Sequence, residues 1–346
     1  MNMRKRILPL CLCLLLLLCG CFNTQMSEKS EEYSISFFAM DTYITFTAYG
    51  KKAESALARA QDKILELERL WSVTDENSDI YAINHAKGQA TEVDGETAAL
   101  LDFALRMAER TNGALDITVY PILAAWGFTT EEYRIPLKQE ITDLLSLVGY
   151  ENVIRNGNTV QLAVGSMLDF GAVGKGYAGD AAADVLRKNG ITSAFLNLGG
   201  NVQTVGSKPD GADWRIGVQD PIGSGIVGVL QVSDLAVVTS GAYERYFIGE
   251  DGKQYGHIVD PATGHPAQNG LLSVTVIAKE GKLCDALSTA LFVMGVERAV
   301  EYWRQNQDFD MILITESGDI YLTDGVSENF MVDGNHSDMQ LHVISG

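Results

Sequence analysis

The stretch from Leu168 to Asp180 constrains this chain more than any other part of the sequence. It places three glycines and Lys175 within six residues, directly before a helical pattern. Glycines allow tight turns and close approach to a ligand, and a helix that begins there offers free N–H groups and the positive end of its dipole. Together with the charge of Lys175, this pattern is typical of a phosphate or pyrophosphate site, or of a structural turn before a helix.

Two familiar phosphate-binding motifs do not match this stretch. A Walker A loop needs a glycine five residues before the Gly-Lys pair and a serine or threonine after it, and Asp169 and Gly176 stand at those positions. The dinucleotide fingerprint G-x-G-x-x-G is excluded as well, because the spacing here is G-x-x-G-x-G. Any anion site in this stretch therefore belongs to a different class.

The first 20 residues predict a signal peptide rather than part of the fold. A basic triplet at 4–6 precedes an apolar run from Ile7 to Cys19, which is too short for a comfortable membrane span. The run leads to a glycine and then Cys21, which resembles a bacterial lipoprotein box with Cys21 as the lipidated residue. The alternatives are an uncleaved anchor or lipidation of Cys19. In each case we expect the body to lie outside the cytoplasmic membrane, anchored to its outer face.

The remaining chain divides into a lipidated cysteine with a flexible polar tether, 21–34, and a folded region, 35–346. Only Cys284 of the five cysteines lies in the folded region. No intramolecular disulfide is then possible after processing, so stability must come from a hydrophobic core. The formal net charge of −19 argues against a nucleic-acid partner, and it implies that a bound anion needs a local cation.

Hydrophobic periodicity predicts an α+β fold with mixed or antiparallel sheets and packed helices, because helices and hairpins follow one another without regular β-α-β alternation. Helical spacing occurs over Ala53–Trp71, Gly95–Asn112, Ile141–Val148, Lys175–Asn189 and Asp285–Met294. Strand patterns occur over Tyr33–Tyr49, Val153–Val164, Ser193–Leu198, Trp214–Gln219, Gly228–Ser233, Ala236–Ser240, Leu271–Ala278, Met311–Thr315 and Ile320–Thr323.

Three further polar stretches suit either chemistry or ordinary turns. Asp116 lies inside an apolar, strand-like run and is a ligand contact or a capping residue. Gly199 and Gly200 follow a buried strand and allow close approach to a ligand or a tight turn. His257 lies in a segment dense in His, Asp, Pro and Gly, where it is a general base or a solvated loop residue.

A fourth stretch places Asp285 and Thr289 four residues apart on a helix, so both side chains lie on one face. A carboxylate and a hydroxyl at this spacing can share a hard cation such as Mg²⁺. The alternative is an N-cap aspartate with a buried threonine.

Taken together, these stretches resemble the bacterial flavin transferase family: exported, Mg²⁺-dependent FAD:protein FMN transferases, once assigned to thiamine biosynthesis. The resemblance runs from about Ala39 to Ile320. The matching motifs are Met40-Asp41-Thr42, Ser78 to Asn84, Gly113 to Asp116, Trp126-Gly127-Phe128, Asp169 to Asp180, Asn197 to Asn201, Thr239-Ser240-Gly241, His257 to Pro266 and Asp285 to Thr289.

The chain departs from the family at four positions. Asp41 replaces the usual glycine, Thr74 stands where many members carry tyrosine, Asp79 replaces the commoner glutamate, and Leu115 stands where phenylalanine is frequent. These departures concern the packing of FAD rather than the reaction.

The resemblance implies roles at matching positions. The Mg²⁺ ligands are the Asp285 and Thr289 side chains and the Ala172 carbonyl. With Thr74, Gly199 and Gly200 added, the expected cofactor-binding residues are Met40, Thr74, Ala114, Leu115, Asp116, Asp169, Lys175, Gly199, Gly200, His257 and Ile258.

The implied reaction moves FMN from FAD to a Thr or Ser hydroxyl of an exported redox subunit and releases AMP. In the family the acceptor lies in a Ser/Thr-Gly-Ala-Thr/Ser-like motif. We expect His257 to act as general base, Asp260 to orient it or to serve as an alternative base, and the N–H groups of 171–176 to hold phosphate oxygens. The segment 239–242 is interpreted as a site loop rather than a target of self-modification.

Two other classes of function remain open from the sequence. One is an FAD pyrophosphatase, which has the same site and uses water as the nucleophile. The other is a flavin-binding lipoprotein without catalysis.

Overall fold

The computed structural model describes residues 31–130 and 132–346. The predicted signal peptide, Cys21 and most of the predicted tether lie outside the described residues. The helices are α1 Ala53–Trp71, α2 Asp79–His85, α3 Gly95–Arg110, α4 Tyr120–Trp126, α5 Lys138–Leu145, α6 Gly174–Lys188, α7 Gly281–Asn306 and α8 Asp324–Ser327.

The strands are distributed along the rest of the described chain. In the first half they are β1 Glu32–Ala39, β2 Thr42–Tyr49, β3 Thr91–Glu92, β4 Ile154–Asn156, β5 Thr159–Gln161, β6 Ala194–Leu198, β7 Asn201–Val205, β8 Trp214–Gln219 and β9 Ile226–Val232. In the second half they are β10 Ala236–Gly241, β11 Tyr246–Ile248, β12 Gln254–Gly256, β13 Val259–Asp260, β14 His265–Pro266, β15 Leu271–Ala278, β16 Asp310–Thr315, β17 Asp319–Thr323, β18 Phe330–Val332 and β19 Gln340–Ile344.

A nine-stranded sheet forms the centre of the fold, in the order β1-β2-β6-β7-β10-β15-β16-β17-β19. Neighbouring strands are antiparallel except β17 and β19, which are parallel. The predicted α+β class with antiparallel and mixed sheets is therefore confirmed.

Each face of this sheet is covered by a different layer. Along β15, Val274 and Val276 pack into the core on the helical side, whereas Ile277 packs into a second core. The second core is shared with a three-stranded sheet in the order β18-β9-β8. This alternation follows from the two-residue period of a strand, and it places α1, α6 and α7 together on one face.

The predicted bounds of helices and strands agree best with the structure where the apolar repeat in the sequence extends over many residues. Helix α1 and strand β15 have the predicted bounds, and the hairpin at 33–49 forms as β1 and β2. Strand β1 starts at Glu32, so the end of the predicted tether belongs to the sheet. Within the described ranges, no helix combines the length and apolar character needed to cross a membrane.

Helix α7 corrects one sequence interpretation. It starts at Gly281, four residues before Asp285, and its first N–H groups are capped from another helix. The N–H groups of Gly281 and Lys282 donate to the Asp180 carboxylate at 2.6 and 3.0 Å. The alternative of Asp285 as an N-cap is therefore wrong, and its carboxylate needs another explanation.

Candidate active site

Helices α6 and α7 cross with almost no side chain between them. A Cβ atom built on Gly176 would lie 2.6 Å from the Cβ of Asp285, and closer still to the carbonyl oxygen of Gly281. Only glycine at position 176 allows this approach. The crossing brings Asp285, one turn into α7, against the start of α6.

Two fixed donors hold the Asp285 carboxylate at this crossing. The Gly176 N–H donates to its Oδ2 at 2.8 Å, and the Asn201 side-chain amide donates to its Oδ1 at 2.9 Å. Asp285 is only 5% exposed. Burial raises its pKa above the ordinary value, and the nearby charge of Lys175 opposes that rise.

The predicted cradle of phosphate-binding N–H groups at 171–176 is wrong for most of these amides. The Gly171 N–H donates to the Asp169 carboxylate, the Val173 and Gly174 N–H groups donate to the Phe170 carbonyl, and the Gly176 N–H donates to Asp285. These groups are already satisfied within the protein. Of the three glycines of this stretch, Gly176 serves the helix crossing.

Thr289 is partly exposed one turn after Asp285 on α7, and its hydroxyl lies 3.4 Å from the Ser240 hydroxyl near the end of β10. Ser240 also contacts the Ser288 hydroxyl at 2.8 Å. Ser240 thus lies against the part of α7 that carries Asp285 and Thr289, although residues 239–241 belong to strand β10 rather than to the predicted loop.

The donor set at Asp285 fits a hard divalent cation. Its carboxylate is buried and, within the described ranges, forms no ion pair with a lysine or arginine. The Thr289 hydroxyl, one turn along the same helix, is a neutral oxygen of the kind that Mg²⁺ accepts, and the carbonyl of Ala172 in the turn before α6 stays a predicted ligand. The described residues contain no cluster of three or more His, Cys, Asp or Glu with metal-binding geometry, so a cation here would depend on this mixed oxygen set.

Lys175 lies at the electrostatic centre of the predicted residues. Its positive charge acts on the pKa values of Asp169, His257 and Asp285, which come from three separate parts of the chain. Among the described carboxylates none forms an ion pair with it. The fold therefore brings Asp169, His257 and Asp285 within electrostatic range of Lys175, whose charge also acts on the pKa of Glu244.

His257 is oriented by the backbone. Its N–H and its Nδ1 both lie near the Arg245 carbonyl oxygen, at 3.0 and 3.1 Å. Because a carbonyl only accepts, Nδ1 carries the proton and Nε2 keeps its lone pair. Burial lowers the pKa of His257 to about 4, with help from the charges of Arg245 and Lys175, so the imidazole is neutral near pH 7.

Asp260 does not orient His257, and that prediction is wrong. Its carboxylate accepts hydrogen bonds from the Ala262 N–H at 2.9 Å and from the Thr263 hydroxyl at 3.2 Å, as in an ordinary aspartate turn. The Arg245 carbonyl holds the position expected of Asp260.

The predicted contacts at 114–116 form a buried turn rather than a strand. Asp116 accepts from the N–H and hydroxyl of Thr118 and from the Tyr150 N–H. Burial raises the pKa of Asp116 despite these donors. The Ile117 carbonyl accepts from the Asp169 N–H at 2.9 Å, which ties the residue after Asp116 to the start of the Leu168–Asp180 stretch.

Met40 reaches the site through the turn between β1 and β2. Met40 and Asp41 both adopt left-handed conformations, with φ of 52° and 57°. The Met40 N–H donates to the Glu68 carboxylate at 2.6 Å, and Asp41 pairs with Arg245 at 2.7 Å. The second contact ties this turn to the residue that orients His257.

The other predicted cofactor residues have local structural roles. Gly199 and Gly200 form the turn between β6 and β7, with φ of 61° and 99°, so the tight-turn alternative alone explains them. Ile258 is buried in the helical-side core. Thr74 is exposed in the loop after α1, where its N–H and hydroxyl contact Ser72.

Sequence reasoning missed Arg245 and Asn201. Asn201 opens β7 and donates to Asp285, and it belongs to a stretch that the sequence singled out only for its glycines. Arg245 orients His257 through its main-chain carbonyl. A contact made by the main chain cannot be predicted from the type of residue. One hint was present in the sequence: Arg245 is a basic residue directly before the short apolar segment 246–248, in a chain with a negative net charge.

Comparison with known proteins agrees with this arrangement. The model of the ApbE family matches residues 40–313. A FAD:protein FMN transferase of Klebsiella pneumoniae (strain 342) is 34% identical and covers 86% of this chain and 93% of its own. A FAD:protein FMN transferase of Treponema pallidum (strain Nichols) is 31% identical over 92% and 94%. The crystal structure of the ApbE protein of Thermotoga maritima superposes with a TM-score of 0.80 at 35% identity, covering 85% of this chain and 98% of that one.

Proposed function

This chain belongs to the ApbE family, and on that premise we propose that it transfers FMN from FAD to a Thr or Ser hydroxyl of an exported redox protein, with release of AMP. The relatives are named for transfer of FMN from FAD to protein. The observation that supports the proposal is that His257 and Asp285, from separate parts of the chain, both lie within electrostatic range of Lys175, while the helix crossing orients the Asp285 carboxylate. The acceptor residue, its Ser/Thr-Gly-Ala-Thr/Ser-like motif and the metal are the finer parts of the proposal.

Lys175 would hold the pyrophosphate of FAD. The chain carries a net charge of −19, so an anionic substrate needs local positive charge to approach. Lys175 supplies that charge from the first turn of α6, with no protein carboxylate paired to it in the described ranges. The expected contacts from Met40 and from 114–116 would then pack around the rest of FAD.

Asp285, Thr289 and the Ala172 carbonyl would hold Mg²⁺ against the pyrophosphate. A bound divalent cation would offset the negative charge that grows on the leaving phosphate oxygen. Asp285 is the anionic ligand of this set, and the Gly176 N–H and the Asn201 amide fix its orientation. A rigid ligand at a helix crossing keeps its geometry without help from the metal.

His257 would accept the proton of the acceptor hydroxyl at Nε2. The acceptor oxygen forms a bond to the FMN-side phosphorus, and the bond from that phosphorus to the AMP oxygen breaks. A pKa of about 4 makes His257 a weak base in the free protein. Binding of an anionic pyrophosphate would offset the charges of Lys175 and Arg245, so we expect the pKa of His257 to rise in the loaded site.

We also propose that lipidation of Cys21 holds the body on the outer face of the cytoplasmic membrane. The support is the order of the N-terminal features: a basic segment, an apolar run and a cysteine after a small residue. An exported acceptor would then lie on the same side of the membrane.

The decisive experiment incubates the full chain with FAD, Mg²⁺ and a small acceptor domain that carries a Ser-Gly-Ala-Thr segment. Transfer adds FMN to the acceptor, a gain of about 438 Da in its intact mass. Asp285→Ala should abolish the adduct because the cation loses its carboxylate ligand. The matched control is Asp180→Asn, which changes another buried carboxylate at the same crossing and should keep the dependence on Mg²⁺.

Each result has a distinct meaning. An adduct whose formation in Asp285→Ala shows the wild-type dependence on Mg²⁺ would rule out the ligand assignment. AMP and free FMN without an adduct would instead favour the FAD pyrophosphatase. Bound FAD with neither product would favour a flavin-binding protein without catalysis.

A further inference from the structure

A two-stranded ribbon leads directly into His257. Strands β11 and β12 pair only with each other among the described strands. Phe247 anchors the inner face of the ribbon, because its ring stacks on Tyr133 at 5.2 Å and on Tyr255 at 5.3 Å. The ribbon is thus fixed in place beside the site.

The opposite face of β11 presents apolar side chains to solvent. Tyr246 is 44% exposed and Ile248 is 59% exposed. They alternate with the anchored Phe247, so both lie on one face of the strand. Exposed apolar residues at alternate positions, adjoining a site that must admit another protein, are typical of a recognition surface.

The outer edge of β11 has free backbone groups. The His257 N–H donates to Arg245 and the Gly249 N–H donates to Lys253, which sets the alternation of paired positions in this antiparallel ribbon. Tyr246 and Ile248 fall at the positions between, so their N–H and C=O groups point away from β12.

The other edge of the ribbon is occupied at one position. The Gln268 side-chain amide donates to the Gln254 carbonyl at 3.1 Å on the outer side of β12. Within the described ranges, no hydrogen bond of this kind reaches the outward groups of Tyr246 and Ile248 on β11, and an open strand edge is a template for a further strand.

We propose that the acceptor protein docks by adding an extended segment to the free edge of β11, with its side chains against Tyr246 and Ile248. This inference rests on the proposed function. The Arg245–His257 pair lies at the base of the ribbon, so a segment paired with β11 runs towards the end of the ribbon that carries His257, with β11 between the segment and that residue. Backbone hydrogen bonds would supply affinity, and contacts to the two apolar side chains would supply selectivity.

The test measures initial rates of FMN transfer by the full chain in detergent, at varied acceptor and at varied FAD. Ile248→Ala removes the apolar contact and keeps the N–H, whereas Ile248→Pro also removes the outward N–H. The matched control is Val343→Ala on β19, a similarly exposed apolar residue (51%) on an edge strand of the central sheet.

We expect Ile248→Ala to raise the KM for the acceptor about 3- to 10-fold, as loss of an exposed apolar contact does. Ile248→Pro should raise it further. The kcat and the KM for FAD should stay within about twofold, and Val343→Ala should match the wild type throughout. If Ile248→Pro no longer binds FAD, Tyr246→Ala replaces it as the second variant.

An unchanged acceptor KM in both Ile248→Ala and Tyr246→Ala would overturn the docking surface. An equal rise in the KM for FAD would overturn it as well, because the ribbon would then shape the flavin site. Self-association that Ile248→Ala abolishes, with acceptor kinetics unchanged, would assign the edge to a second copy of the chain. A wild-type protein that forms no adduct would instead refute the proposed function itself.

Discussion

His257 combines a fixed proton position with a low basicity. The Arg245 carbonyl holds the proton on Nδ1, and burial with two nearby cations lowers the pKa of the ring to about 4. The ring is therefore a neutral hydrogen-bond acceptor throughout the physiological range. An acceptor hydroxyl meets a lone pair at Nε2 without prior loss of a proton from the imidazole.

Replacement of His257 by alanine should lower kcat by about 10²- to 10⁴-fold, the usual contribution of a positioned general base, while FAD binding persists. His265→Ala is the matched control, since His265 lies on the surface of the same segment and its ring packs against Trp126. The measurement is the rate of adduct formation at saturating FAD. Transfer by His257→Ala within a few-fold of the wild-type rate would remove His257 from the mechanism.

The stability of the protein should depend on pH because the pKa of His257 is lowered in the fold. The pKa of His257 is lowered from about 6.5 in the unfolded chain to about 4 in the fold. Stability from this residue is therefore fully present above pH 6.5 and is lost as the pH falls towards 4, with a slope of up to about 1.4 kcal/mol per unit. His257→Asn should flatten this limb in denaturant titrations at pH 4.5 to 7, and an unaltered slope would contradict the buried neutral imidazole.

Residue type predicted part of the site well. Asp169, Lys175, His257 and Asp285 were identified from the sequence, and the charge of Lys175 acts on the pKa of each of the other three residues. The supporting contacts were not predictable, because the partner of His257 is a main-chain carbonyl. Asp260 was the obvious candidate for that position by residue type, and the local turn uses its carboxylate instead.

At the scale of elements, the crossing of α6 and α7 is the feature that builds the site. It sets Asp285 against the Gly176 N–H and sets the Asp180 carboxylate against the start of α7. Each helix thus caps or orients a group of the other. The Gly176–Asp285 contact and the contact of Asp180 with the start of α7 both require the two helices to approach closely at Gly176 and Gly281.

Gly176→Ala should therefore destabilise the protein by about 1–3 kcal/mol and reduce transfer, because the new methyl group would clash with α7 backbone and displace Asp285. The matched control is Gly179→Ala on the same helix. A Cβ atom there would meet Leu198 at 3.7 Å and Gln203 at 3.8 Å, which is ordinary contact. We expect this control to be neutral or stabilising by up to about 1 kcal/mol.

Denaturant titrations and adduct rates on the two variants check this expectation. Equal stability of Gly176→Ala and Gly179→Ala would show that the crossing tolerates a side chain. If Gly176→Ala is destabilised but transfers FMN at the wild-type rate, the close helix crossing is not needed to place Asp285 for the reaction.

Elements with a long apolar period were the predictable ones. Helix α1 and strand β15 each present repeated buried positions, and tertiary packing only reinforces that pattern. Helix α4 and the ribbon of β11 and β12 are too short to show a period, and their stability comes from aromatic packing across the chain. Helix α7 was predicted too short because the capping group of its start lies on another helix.

At the scale of the whole molecule, the part of the chain from residue 31 onward contains no disulfide, so its stability depends on packing. Cys284 is the one cysteine within the described ranges, and it is buried between α7 and β10. The central sheet is covered by helices on one face and by a second sheet on the other. A chain of this size can bury enough apolar surface in two cores, one on each face of the sheet, to be stable without covalent cross-links.

The proposed point of attachment to the membrane is Cys21, which lies outside the described residues. Cys21→Ser should release the protein from membranes into the soluble fraction, because the predicted anchor is the lipid on that thiol. Cys19→Ser is the matched control and should leave the protein bound to the membrane. The measurement is fractionation of cells that express each variant, with metabolic labelling by a fatty acid.

The outcomes of this experiment separate the three interpretations of the N-terminus. Labelling lost in Cys21→Ser alone supports the lipid anchor at Cys21, and labelling lost in Cys19→Ser alone moves the anchor to Cys19. If neither change removes the protein from the membrane and no label is found, an uncleaved apolar segment holds it there. Transfer to a detached acceptor should continue in released Cys21→Ser protein, because Lys175, His257 and Asp285 all belong to the folded body.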